Sequence, residues 1–391
     1  MKITHVERKV LGTEWRNLTI VFVHTDEGLV GLGEARMINQ TDALLGYLDE
    51  AVRNHVLGLD PFEIQRLIDR MWRIEYSRAG EIAMAALSVI EMACWDIMGK
   101  ALDLPVYRLM GGPVRDTIKA YANGWYTVER TPEEFHAAAR LVVAKGYRAL
   151  KLDPFGTARY EPDQSELRTA IGLVEAVRDA IGPDAELYVE AHGRFTPKAA
   201  IQIARELAPY RPGWLEEPVP PENPSLLAEV TRATEVPIAS GERVHTRLDF
   251  RELFERRAVD IVQPDITMCG GISETLHIAA WAEAYGMLVA PHNVGGPIST
   301  AAALQVAALV PNFKAQEHFN DFAESWIQDL IPGNPAVIDG FFALPTNPGL
   351  GVSVDPAALD EHPRKAVHFN LHAEQWHLRR ALIDEPVEPS P

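Results

Sequence analysis

A chain of 391 residues, 47% hydrophobic and 24% charged, can bury one very large core or divide into two or three domains. Its net charge of −18 excludes the basic surface that nucleic acid or an anionic membrane requires of a partner. An anionic small molecule stays open as a ligand, because a bound cation inverts the local field.

The first 120 residues do not alternate strand with helix. "LTIVFVHTDEGLVGLGEA" predicts two strands around a "TDEG" turn. Helical stretches follow in "DALLGYLDEAVRNHV", "FEIQRLIDRMW" and the long apolar "EIAMAALSVIEMACWDIMGKAL", which stops near Leu104-Pro105 and "MGG". Strands followed by a run of helices predict a separate α+β domain over residues 1–120. The apolar residues of "EMACWDIMGK" recur at helical spacing, so this face is expected to be core.

From Lys119 the pattern becomes a beat of short apolar strands, each ending in polar residues. They are "KAYANGW", "YRALKLD", "ELYVEAH", "PGWLEEP", "VPIASGER", "VDIVQPD", "GMLVAPH" and "FKAQEH". Amphipathic stretches such as "PEEFHAAARLVVAKG" and "ELRTAIGLVEAVRDAIG" lie between them. Eight strand–helix units predict a (β/α)8 barrel over residues 121–345, with its site at the C-terminal ends of the strands. Residues 346–391 do not continue the beat; they are expected to return to the N-terminal domain, with the tail "DEPVEPSP" disordered. Cys94 and Cys269 are too few for a disulfide framework, which points to a reducing cytoplasm. The start "MKITHVERKV" lacks the pattern of a secretory signal, and no uncharged apolar run reaches the ~18 residues of a bilayer span. A cytoplasmic protein is the expectation.

Glu190, Glu216 and Glu242 each close a predicted strand and recur every 26 residues. Asp265, His292 and Glu317 follow at intervals of 23, 27 and 25, so all six should converge on the barrel mouth. Three carboxylates without cysteine form a hard, all-oxygen set that favours Mg2+ over zinc. In "EEP" Glu216 is the assigned ligand, with Glu217 the weaker choice. Asp265 beside His292 would fix the imidazole's tautomer and raise its basicity, making a general-base dyad. In "VEAHGRF", strand alternation puts Glu190, His192 and Arg194 on one face, and His192 could serve as the acid opposite that base. His245 and His318 are read as structural. Lys151 is placed to pair with a substrate carboxylate. The set suits removal of a proton α to a carboxylate, where a divalent ion ~4 Å from the new charge contributes roughly 8 kcal/mol at an effective dielectric of ~20.

At "YANGWY", "KLDPFG", "EAHGRF", "EEPV", "GER", "QPDITMCGG", "PHN" and "PGLGVS" the chain resembles the mandelate racemase subgroup of the enolase superfamily, and within it gluconate and galactonate dehydratase-like sugar-acid dehydratases. The resemblance covers nearly the whole chain. It implies a capping domain built from both termini, Mg2+ on Glu190, Glu216 and Glu242, and the Asp265–His292 pair as base. It further implies His192 as the acid expelling a β-hydroxyl, Glu317 at the substrate carboxylate, and a 2-keto-3-deoxy sugar acid as product. Asn123, Asp153 and Arg194 join the expected substrate-facing set, and Trp15, Tyr76 and Arg78 lie in candidate lid loops. Racemases of the subgroup carry Lys-x-Lys at the second strand; here it reads Lys151-Leu152-Asp153, which favours dehydration over racemisation. A cycloisomerase or epimerase is the alternative chemistry, and a sugar-acid sensor the non-catalytic one. Barrels of this kind are commonly symmetric assemblies, so a homo-oligomer is expected.

Overall fold

A computed structural model describes residues 1–78 and 80–381. The "DEPVEPSP" tail, expected to be disordered, lies outside the described residues. The N-terminal sheet has three antiparallel strands, β1 (Ile3–Gly12), β2 (Asn17–Thr25) and β3 (Val30–Ala35). The expected hairpin is β2–β3, and its turn is made by Gly28 at φ 82°. The additional strand β1 escapes a pattern reading because "ITHVERKVLG" mixes charges into both of its faces, as suits a half-exposed edge. Helices α1 (Thr41–Ala51), α2 (Ile64–Ile68) and α3 (Glu81–Ala101) cover the sheet, the first two each continuing into a wider π turn. Helix α3 is long and apolar enough to cross a membrane, yet 83% of its apolar window is buried in the protein's own core. Leu87, Ile90, Ala93 and Ile97 pack there against Val21 and Val23 of β2.

A short helix α4 (Val106–Leu109) leads into eight parallel strands: β4 (Thr117–Ala122), β5 (Ala149–Leu152), β6 (Glu186–Glu190), β7 (Trp214–Glu216), β8 (Ile238–Ser240), β9 (Ile261–Val262), β10 (Leu288–Val289) and β11 (Gln316–His318). Each pairs with the next as far as β10. The β11–β4 pairing and a Val289–Phe313 bridge close the ring. The intervening helices are α5 (Pro132–Ala144), α6 (Gln164–Ile181), α7 (Pro197–Leu207), α8 (Pro224–Ala233), α9 (Thr246–Arg256), α10 (Gly271–Ala284) and α11 (Pro297–Ala307). Their starts are written locally. Thr131-Pro132, Thr196-Pro197 and Asn223-Pro224 each pair a capping side chain with a first-turn proline, and Asp163 with Glu166 forms a capping box.

Inside the barrel one side chain per strand forms a sealed floor: Tyr121, Ala149, Tyr188, Trp214, Ala239, Ile261, Ala290 and Ala315. Tyr188 and Trp214 stack at 3.5 Å, and the alanines leave room for these large rings. Strand side chains repeat every two residues, so the next layer toward the mouth is set by register. It reads Asn123, Lys151, Glu190, Glu216, Gly241, Gln263, His292 and Glu317, polar wherever it has a side chain.

Buried acids join the N-terminal domain to the barrel. The Glu34 carboxylate of β3 accepts from the backbone N–H groups of Gly296, Ile298 and Ser299 at the start of α11. Glu91 of α3 accepts from Ile272 N at 2.8 Å and Ser273 N at 2.9 Å, at the start of α10. Each places a carboxylate at a helix N-terminus, where unpaired N–H groups and the helix dipole favour it. The "CGG" stretch permits this. Gly271 has φ 86°, and a Cβ there would collide with the Glu91 carboxylate. The face expected to be plain core therefore also carries the ties. Beyond the barrel, Asn17 exchanges hydrogen bonds with the Lys365 backbone and Asn39 with that of Phe369, which lays the C-terminal segment along the N-terminal domain.

Candidate active site

The barrel mouth opens into a cavity of about 510 Å³. Lys151, Glu190, His192, Glu242 and His292 line it from the barrel, with Asn123 beside them. Trp15 and Arg36 come from the N-terminal domain, and Phe369, Leu371, Trp376 and Arg379 from the C-terminal segment.

One carboxylate oxygen each from Glu190, Glu216 and Glu242 lies within 4.8 Å of the others. Glu242 joins the set because Gly241, at φ 144°, turns the chain just past β8. A Cβ at Gly241 would stand 2.9 Å from Gln263 N, so only glycine suits this approach. Glu217, at φ 38°, is not part of the trio. Its oxygens accept no hydrogen bond among the described residues, and Arg243 stands 3.5 Å off. Burial pushes the Glu217 carboxyl up to about 8.

Lys151 is fully buried among acids, with Nζ 2.8 Å from Glu216, 3.0 Å from Glu317 and 3.4 Å from Glu190. Burial and the neighbouring Glu216 push Glu190 well above its usual range, whereas at Glu216 burial is outweighed by Lys151 and the hydrogen bond shared with Glu190 together, which hold it down. Three converging carboxylates with this mutual repulsion, all oxygen donors, fit a hard divalent cation. Glu317 is itself fully buried; it accepts from Asn123 Nδ2 at 2.8 Å and from the backbone N–H of Asn293 at 2.7 Å. It therefore braces the floor of the site beneath the cavity.

His292 donates from Nδ1 to Asp265 Oδ2 at 2.8 Å, and its Nε2 stands 3.0 Å from Glu242. Asp265 is in turn held by Thr267 N at 2.8 Å and Thr267 Oγ1 at 2.7 Å, with Arg36 Nη2 at 3.5 Å. Burial pulls the His292 imidazole down, but Glu242, Glu317 and Asp265 outweigh it and push it up to about 9. His192 stands on the opposite wall. It follows β6, the third strand of the ring, and His292 follows β10, the seventh.

The shared face expected for Glu190, His192 and Arg194 does not form. Strand β6 ends at Glu190, and left-handed backbone at His192 (φ 48°) and Gly193 (φ 68°) breaks the alternation. Arg194 turns away from the cavity onto Asp153, so neither residue contacts its interior. Asp153, expected to face the substrate, instead lies behind the cavity wall and receives the His192 ring at 2.5 Å. Tyr76 and Arg78 are not brought to the site. They stand on an exposed loop, Tyr76 98% exposed and Arg78 donating to the Arg73 carbonyl. His245, read as structural, bonds the Met268 carbonyl and also lines the cavity. His318 is fully buried beside Asp321.

Two family descriptions match the chain. The N-terminal domain of mandelate racemase / muconate lactonizing enzyme matches residues 6–111, and the enolase C-terminal domain-like description matches residues 134–358. This chain belongs to the mandelate racemase and muconate lactonizing enzyme family. Among its relatives, a D-gluconate dehydratase of Thermoproteus tenax is 37% identical over 351 residues, 89% of this chain and 70% of that protein. A D-xylonate dehydratase of Haloferax volcanii is 36% identical over 354 residues, 88% of this chain and 84% of the relative. The solved structure of a mandelate racemase/muconate lactonizing enzyme from Sulfitobacter superposes with a TM-score of 0.89 at 32% identity, covering 99% of both chains. The family's architecture, a capping domain over a (β/α)8 barrel, is the architecture described above.

Proposed function

We propose that this protein is a Mg2+-dependent sugar-acid dehydratase that converts an aldonate to a 2-keto-3-deoxy acid. The observation that carries this reading is the pair of aspartate-anchored imidazoles on opposite walls, with the carboxylate trio between them. The dehydratase relatives, one named for D-gluconate and one for D-xylonate, support the substrate class.

Glu190, Glu216 and Glu242 would hold the cation. When bound, it supplies positive charge to a substrate carboxylate whose α-carbon is losing a proton. Lys151 adds a fixed ammonium at the same end, held by three acids. His292 takes the α-proton, with Asp265 orienting the ring. His192 gives a proton to the departing 3-hydroxyl on the other face, and elimination is anti. Water leaves, and the enol tautomerises to the keto acid.

Racemisation needs a second base on the His192 side. Asp153 holds the sequence position that a racemase gives to that base, but it is fully buried with both oxygens occupied. Elimination is therefore favoured. The test is a stereochemically complete set of aldonic and aldaric acids assayed for 2-keto acid formation with added magnesium. Turnover confined to aldonates is expected, and inversion of the α-carbon without dehydration would replace this reading.

A further inference from the structure

The structure carries a second histidine–aspartate pair that mirrors the first in its details. Asp265 accepts from the backbone N–H two residues on, from an arginine, and from a histidine Nδ1. Asp153 does the same: it accepts from Phe155 N at 2.9 Å, from Arg194 Nη2 at 2.5 and 2.6 Å, and from His192 Nδ1 at 2.5 Å. Asp153 is wholly buried and reaches the cavity only through His192. His192 is tied at its backbone as well, since its N–H donates to Glu190 Oε1 at 2.6 Å. With Nδ1 committed to Asp153, Nε2 is the ring nitrogen left for the cavity, and it has no partner among the described residues. The edge of Trp376 packs at 80° to the ring, 5.5 Å between centroids, and limits its rotation. An aspartate that holds a histidine in one tautomer leaves the other nitrogen for proton transfer.

We propose that Asp153, clamped by Arg194, is a positioning residue that locks His192 with Nε2–H aimed at the substrate, so that it acts on the elimination half of the reaction alone. This rests on the dehydratase reading above. In the step concerned, His192 Nε2–H transfers its proton to the 3-hydroxyl and the C3–O bond breaks. The electron pair left at C2 forms the C2–C3 double bond, and one water departs. Solvent later returns the proton to the imidazole and protonates C3 of the enol. Arg194 acts one shell further out. Its guanidinium bridges both Asp153 oxygens and also donates to the carbonyls of Ala191 and Gly156, tying the His192 loop to the loop after β5.

The test uses the magnesium-loaded enzyme in D2O with D-gluconate and D-xylonate as probes. It compares wild type, Asp153→Asn, His192→Asn, the double variant and Arg194→Lys. Two rates are read, 2-keto acid formation and deuterium incorporation into recovered substrate. In Asp153→Asn, keto acid formation is expected to fall roughly 10²- to 10⁴-fold, the range for losing a positioned acid or its orienting aspartate. Deuterium incorporation should stay within about threefold. The same substitution should add nothing in the His192→Asn background, and Arg194→Lys should give a smaller loss of the same kind. Equal loss of both rates, or a further loss in the double variant, would overturn the proposal. The 15N spectrum of the His192 ring, assigned by its absence in His192→Asn, is independent of turnover. It should show a protonated Nδ1 that shifts in Asp153→Asn; an unprotonated Nδ1 in wild type also overturns the proposal. If His192→Asn keeps full keto acid formation while Nδ1 is protonated, it is the dehydratase assignment of His192 that fails.

Discussion

Replacing Glu91 by alanine tests how the N-terminal domain is held to the barrel. The carboxylate receives four donors: Ile272 N at 2.8 Å, Ser273 N at 2.9 Å, Ser273 Oγ at 2.6 Å and Trp95 Nε1 at 2.8 Å. Trp95 Nε1 also lies 3.1 Å from Ser273 Oγ, so these two side chains can satisfy each other after the change. The two backbone N–H groups cannot, because they open α10 in a buried place. Each costs about 1–3 kcal/mol when left unpaired. Loss of the helix-dipole interaction adds about 1 kcal/mol. A destabilisation of about 3–7 kcal/mol is expected, read from the midpoint of urea unfolding at unchanged slope. Glu91→Gln keeps one acceptor oxygen and should cost only about 1–3 kcal/mol. An alanine variant that loses less than about 1 kcal/mol, or a glutamine variant as damaged as the alanine one, would refute the reasoning.

Exhaustive chelation should abolish turnover and magnesium should restore it; full turnover without metal would remove the glutamate trio from the chemistry. His292→Asn should suppress solvent deuterium incorporation at the α-carbon by at least 10²-fold, the lower range for a general base, as measured by mass spectrometry. At Asp321, burial acts to raise the carboxyl, but the contact with His318 at 3.4 Å and the hydroxyl of Tyr147 at 2.8 Å outweigh it and hold it below its usual value. A carboxyl depressed on folding stabilises the protein above its unfolded pKa of about 3.9, and that contribution fades as pH falls through the folded value. Asp321→Asn should therefore lower the Tm at pH 7, with the gap to wild type closing as the pH drops below about 4.

Much of the barrel is legible from register. One phase locks each strand's interior side chain to the next, so Glu190, Glu216, His292 and Glu317 emerge from apolar strands at the height the floor of aromatic rings and alanines dictates. What stayed hidden depends on contacts between distant parts of the chain. Asp153 and Arg194 lie on different loops, 41 residues apart, and the pairing has no periodic trace. The positive φ at His192 and Gly193 is likewise invisible to an alternation argument. Glu34 and Glu91 find their partners in the opening amides of helices 262 and 181 residues further on, which no local pattern indicates. Tyr76 and Arg78 show the reverse error: an aromatic and an arginine on a loop look like recognition elements until the loop is found facing solvent.

The wall of the cavity is finished by Trp376 and Arg379. The Trp376 indole donates to the Gly156 carbonyl, and the Arg379 guanidinium lies over Trp15, Tyr126 and Phe319. A ribosome delivers the catalytic strands well before this closing stretch. The segment that completes the cavity wall is thus the last of the described chain to be made, after every strand of the barrel. Trimming of that stretch would free the His192 ring from Trp376 and leave Trp15 and Arg36 of the N-terminal domain as the remaining cover of the cavity.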